Sequence, residues 1–163
     1  MATRKKRETT NYIVVHQAAT RPSMDIGVEE IDRWHRERGW FRIGYHYVIR
    51  RDGSVEEGEE LERHGAHVRT NNHDSIGICL AGGVSEEDHT KPEFNFTDAQ
   101  MASLLELIFK LQDDYGYGEA EVCGHADLDG AKPYCPGFNA AEFVKDGHYG
   151  EDLLTEGVAW NPQ

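Results

Sequence analysis

Y-I-V-V-H (12–16) sets three β-branched residues behind a tyrosine, the composition of a central β-strand, and ends the run on a histidine. The rest of the chain alternates strands and helices around it. Gly27 to Arg38 carries Val28, Ile31, Trp34 and His35 at helical spacing, with Gly39 placed as a C-terminal cap. Gly44 to Arg50, the pair Asp52-Gly53, and Ser54 to Glu57 read as a hairpin whose turn is the D-G pair. Ser75 to Ala81 is a further strand running into Gly82-Gly83, and residues 84–96 are a polar loop. Thr97 and Gln100 form a capping box ahead of an apolar stripe of Met101, Leu104, Leu105, Ile108 and Leu111. Glu121 to Gly124 is a short strand that delivers His125, and Asn139 to Val144 turns helical. This alternation predicts a single α/β domain, with a central mixed sheet covered by helices.

A chain of 163 residues can bury one core without staples. Its formal charge of −13 and pI near 5.0 argue against nucleic acid, which needs a basic surface, and against anionic membranes. Cys79, Cys123 and Cys135 make an odd count without repeated spacing, so no disulfide framework is expected. Cys79 and Cys123 sit in apolar runs as small buried hydrophobes. The basic start, with no apolar run behind it, is not a signal peptide, and no stretch reaches transmembrane length. The expected organisation is a flexible basic arm over residues 1–11, a domain over 12–146, and a poorly ordered tail over 147–163.

Chemistry concentrates on three residues. His125 and Cys135 bracket a short loop, H-A-D-L-D-G-A-K-P-Y-C (125–135), and His16 ends the distant strand. Two imidazoles and one thiolate suit Zn²⁺, and three protein ligands leave the fourth tetrahedral position open, as catalysis requires. Taken singly, His16 reads as an edge histidine, His125 as a loop residue and Cys135 as an inert thiol before Pro136. Their combination carries the metal reading. His35 falls on the apolar face of its helix as a packing or hydrogen-bonded structural residue, and His64, His73, His89 and His148 fall in polar loops. In G-Y-H-Y-V-I (44–49) the strict alternation puts Tyr45 and His46 on opposite faces. If Val48 packs in the core beside His46, Tyr45 shares the other face with Tyr47 and Ile49. Taken singly, Tyr45 reads as an interfacial aromatic with its hydroxyl in water and Lys132 as a solvated lysine; beside a metal site either can stabilise an oxyanion.

The stretches V-V-H-Q-A-A-T (14–20), W-H-R-E-R-G-W-F-R-I-G-Y-H-Y-V-I-R-R-D-G (34–53), G-A-H-V-R-T-N-N-H-D-S-I-G-I-C-L-A-G-G (65–83) and G-H-A-D-L…K-P-Y-C-P-G-F (124–138) resemble the type 2 N-acetylmuramoyl-L-alanine amidases. Within that family the chain looks most like the small phage lysozymes, and more distantly like peptidoglycan-recognition proteins. The resemblance runs from about Tyr12 to Phe143. It implies a zinc hydrolase that cuts the amide between N-acetylmuramic acid and the L-alanine of the stem peptide, with the zinc site at one edge of the sheet. The family's ligands carry over onto His16, His125 and Cys135, and its catalytic tyrosine and lysine onto Tyr45 and Lys132. His67 is placed in the substrate groove. Asn72 matches a family asparagine, for which a turn or backbone-bonding role stands beside a substrate-binding one. Two departures are visible: Val68 stands where the family often has alanine, and Lys132 is one residue further from the cysteine than in related phage enzymes.

What the resemblance implies about partners is peptidoglycan and, for small phage lysozymes, restraint of the phage RNA polymerase. A monomer is expected. The segment T-R-K-K-R-E (3–8) reads either as a contact arm for that polymerase or, the favoured reading on composition, as a solvated, disordered tail. The expected location is the host cytoplasm, with access to the wall after the membrane is permeabilised. The competing reading is a peptidoglycan-binding or polymerase-regulating protein without catalysis, against which the presence of Cys135 argues.

Overall fold

The computed structural model describes residues 3–146. Strand β1 (Tyr12–Gln17) has all but its first residue buried, as a run without charged side chains permits. Helix α1 (Val28–Glu37) follows; the Glu56 carboxylate accepts from the Val28 N–H at its start, and Gly39 adopts φ 93° just beyond its end. Strands β2 (Tyr47–Ile49) and β3 (Val55–Glu57) form the hairpin. After a 3₁₀ turn (Asn72–Asp74) come β4 (Ser75–Leu80), α2 (Asp98–Asp113), β5 (Glu121–Gly124), the single-turn α3 (His125–Leu128) and α4 (Ala140–Asp146).

The sheet order is β3-β2-β4-β1-β5. Strand β1 pairs parallel with β4 and β5, β2 pairs parallel with β4, and β3 is antiparallel to β2, so the sheet is mixed as expected. Period-two alternation divides the core. Ile13 and Val15 of β1, Ile76, Ile78 and Leu80 of β4, and Tyr47 and Ile49 of β2 pack against α2 and α4. On α2, Met101, Leu104, Leu107, Ile108 and Leu111 are buried; each such side chain contributes about 1.5–3 kcal/mol of transfer free energy. The Thr97 capping box forms in both directions, each hydrogen bond 3.0 Å long. Leu105 is only partly buried.

The other sheet face is different. Val48 and Cys79 pack there with Ile31 of α1, and Val14 packs with Val68 and Cys123. On this side β4 presents Ser75, Gly77 and Cys79, all small, and β1 presents His16. A shallow floor results, onto which polar side chains can settle.

Two expectations need correction. The first hairpin strand is shorter than predicted, and Tyr45 does not share a face with Tyr47 and Ile49; it packs with Val48. Residues 44–46 scatter their backbone bonds among Ala66, Glu59, Gly58 and Gly77 instead of forming one ladder, so parity along the strand is lost before Tyr47. Gly44 is required there, because a Cβ would lie 2.1 Å from the Ala66 carbonyl oxygen. Nor is the N-terminal arm free over its described part. Arg4 donates to the Ile43 and Arg42 carbonyls and pairs with buried Glu59, while Arg7 donates to the Leu61 and Arg63 carbonyls. Two guanidiniums satisfying several buried acceptors hold the segment down. The 147–163 tail lies outside the described residues.

Candidate metal centre

His16 lies near the C-terminal end of β1, and His125 directly follows β5, the neighbouring parallel strand, where Val15 pairs with Gly124. Parallel pairing thus brings both imidazoles to the same end of the sheet, with ring centroids 4.6 Å apart. Cys135 returns to them through a loop closed by the Ala126 N–H on the Cys135 carbonyl (2.9 Å) and the Cys135 N–H on the Lys132 carbonyl (3.2 Å). Gln17 fastens this loop to β1: its Nε2 donates to the Tyr134 carbonyl at 2.6 Å, and its backbone N–H donates to Cys135 Sγ at 3.3 Å.

The three candidate ligand atoms all lie within 4.8 Å of one another. His16 Nδ1 is 3.7 Å from Cys135 Sγ, near the roughly 3.5 Å that a tetrahedral zinc imposes between a nitrogen and a sulfur ligand. Imidazole and thiolate donors fit zinc and disfavour the oxygen-seeking Mg²⁺ and Ca²⁺. The trio predicted from sequence is therefore brought together as a site able to hold a divalent cation.

Burial governs the electrostatics of the protein without a cation. It pushes His16 and His67 well below the ordinary imidazole range, helped by the other histidines, and holds His125 and His35 at about 4 and His46 at about 3. Burial also raises the Cys135 thiol to about 12, against the Gln17 N–H and the Lys132 charge. Cation binding must then displace the thiol proton. A stability prediction comes from the imidazoles. They stay neutral in the fold but protonate once released, so below pH 6.5 the unfolded chain binds more protons than the folded one. Stability is full above about pH 6.5 and falls as pH drops toward 4, by about 1.4 kcal/mol per pH unit for each imidazole involved. Urea unfolding of metal-free protein across pH 4–7 should show that slope; a flat profile would mean these rings are not held neutral.

A groove of about 780 Å³ opens over the site, lined among others by Arg38, Trp40, Tyr45, Arg69, Asn72 and Lys132. Tyr45 sits beside the cluster, its ring centroid 5.0 Å from that of His16. Burial keeps its phenol protonated, and the hydroxyl donates to the Cys79 thiol. Lys132 lines the groove and is close enough to lower the pKa of both His125 and Cys135. His67 lies on the groove floor, 7 % exposed, with both ring nitrogens engaged by His16 and Ser75. Asn72 acts on the backbone: its Oδ1 accepts from the His67 and Val68 N–H groups at 2.8 and 3.0 Å.

Sequence reasoning did not single out Gln17, Arg38, Trp40, Ser75 or Gly77. For the last two a signal existed: S-I-G-I-C (75–79) alternates isoleucine with small residues, the mark of a strand face approached closely by something else.

Comparison with known proteins gives the chain its relatives. The family model described as N-acetylmuramoyl-L-alanine amidase matches residues 6–138. The chain is 44% identical over 134 residues to an endolysin of Klebsiella phage KP32, covering 82% of this chain and 85% of that protein. Among solved structures, the N-acetylmuramoyl-L-alanine amidase LysC from Clostridium intestinale superposes with a TM-score of 0.69 at 30% identity, covering 85% of each chain. Drosophila PGRP-LB shares the fold, with a TM-score of 0.68 at 22% identity over 91% of this chain and 88% of the other.

Proposed function

Because this chain belongs to the N-acetylmuramoyl-L-alanine amidase family and is an amidase of the phage-endolysin type acting on peptidoglycan, we propose that it cuts the bond between N-acetylmuramic acid and L-alanine with a zinc ion held by His16, His125 and Cys135. The observation that carries the reading is the convergence of those three side chains beneath a groove large enough for a glycopeptide. When bound, zinc supplies Lewis-acid polarisation of the scissile carbonyl and makes water more acidic.

The chain's own residues would do the rest. Gln17 donates to the Cys135 sulfur and so favours its thiolate form. Tyr45, kept protonated by burial, acts as a hydrogen-bond donor and not as a base; a substrate oxygen would compete with Cys79 for its proton. Lys132 brings a positive charge to the groove wall, where negative charge develops on the carbonyl oxygen during attack. Asn72 holds the backbone of the floor.

The test is digestion of purified peptidoglycan by protein as isolated, protein stripped with a chelator, and stripped protein given zinc back. New L-alanine amino termini without new reducing sugar ends, lost on stripping and restored by zinc, are the expected result. Reducing ends would mean glycosidase chemistry, and cleavage indifferent to stripping would remove the metal from the account. We also propose action as a monomer, from the host cytoplasm, after the membrane is opened. Restraint of a phage RNA polymerase rests on the resemblance alone, and the arm expected to make that contact is engaged with residues 42–63.

A further inference from the structure

We propose that Ser75 and His67 are positioning residues that fix the tautomer of His16, and thereby which of its nitrogens faces the cation; the proposal rests on His16 being a metal ligand. The chain of contacts starts at an atom that can only accept. Ser75 Oγ lies 2.6 Å from the Asn71 carbonyl oxygen, so the hydroxyl proton is spent there. Toward His67 Nε2, 3.1 Å away, the same oxygen must then accept, and His67 carries its proton on Nε2. His67 Nδ1 is left as a lone pair, 2.8 Å from His16 Nε2. His16 donates across that contact and keeps Nδ1 bare. That bare nitrogen is the one 3.7 Å from Cys135 Sγ. Each proton is thus placed by the group behind it, and the last one leaves the ligand atom ready without rearrangement.

The scaffold is built to hold the relay. Asn72 pins the backbone of His67 and Val68 from one side. From below, Gly77 provides room: a Cβ there would stand 2.5 Å from His67 Cγ. The imidazoles of His46 and His125 face His67 and His16 without taking these nitrogens; His46 instead accepts from the Gly77 N–H and donates to the Arg63 carbonyl.

The relay makes an unusual prediction about Ser75, which touches no ligand position. In Ser75→Ala, His67 loses the hydroxyl acceptor for Nε2–H and keeps only the weaker contact to the backbone carbonyl of residue 75, so part of its population can shift the proton to Nδ1. It would then donate to His16 Nε2 and force the His16 proton onto Nδ1, the ligand atom. Long-range ¹H–¹⁵N spectra of the metal-free full chain read these tautomers directly. Wild type should show bare Nδ1 on both His16 and His67, and Ser75→Ala should show a population with Nδ1 protonated. Zinc dissociation constants, from chelator competition, should weaken by about 10–100-fold in Ser75→Ala and His67→Phe. His67→Gln, whose amide can accept from His16 and donate to Ser75, should recover most of that loss. A wild-type His16 protonated on Nδ1 overturns the proposal even if no variant folds. Zinc-binding wild type with an unchanged Ser75→Ala variant overturns the relay alone, whereas wild type that binds no zinc brings down the ligand reading and the relay with it.

Discussion

Cys135→Ser should lose peptidoglycan cleavage by about three orders of magnitude and lose its bound zinc, with its metal-free unfolding close to that of metal-free wild type. The sulfur is the one anionic donor in the cluster, and a serine hydroxyl does not ionise near neutral pH to replace it. A metal's contribution to stabilising transition-state charge is several kcal/mol, and about 4 kcal/mol corresponds to about 10³ in rate. The fold should tolerate the change, because the loop is also tied through Gln17 to the Tyr134 carbonyl and through Ala126 to the Cys135 carbonyl, neither of which involves the sulfur. Rates on purified peptidoglycan, zinc content and urea unfolding of the same preparation separate these effects. A variant that keeps zinc and cleaves within tenfold of wild type would remove Cys135 from the ligand set.

Tyr45→Phe should lower the turnover rate by about 10²-fold while zinc content stays that of wild type. The magnitude is that of deleting one preorganised donor to a developing oxyanion. The substitution removes only the hydroxyl, and the ring keeps its place beside His16 and His35. Cys79, which accepts from the phenol, still has the Leu80 carbonyl as a partner for its own proton. The two roles open to this residue therefore give different results. Unchanged zinc with a slow rate assigns the hydroxyl to the reaction; parallel loss of zinc would make Tyr45 a packing residue for the cluster; full activity would leave Lys132 as the remaining candidate donor.

Much of this was legible in the sequence because it was local or compositional. The β-branched run at 13–15, the capping box of Thr97 and Gln100, and the stripe ending at Leu111 each carry their structure within a turn or a strand. The ligand trio was legible for another reason: few residue types bind zinc, and His125 and Cys135 flank one loop. What escaped was set by contacts between distant segments. Nothing near Gly44 announces that Ala66 will crowd it and break the strand's parity. Nothing near Arg4 announces a buried carboxylate at Glu59. The link from Ser75 through His67 to His16 joins a strand, a loop and a second strand, and no spacing along the chain encodes it.

Strand β4 shows how this small domain keeps stability and chemistry from interfering. Its letters belong to two separate vocabularies. Ile76, Ile78 and Leu80 address the hydrophobic layer beneath α2, whereas Ser75, Gly77 and Cys79 address the floor of the groove. Since neighbouring side chains point to opposite faces, the two sets share a backbone but no packing partners. One set can drift among apolar residues of similar volume without disturbing a proton on His16, and the other is held by hydrogen bonds and clearance that the core never sees. Six consecutive residues thus answer to two independent constraints, interleaved one by one.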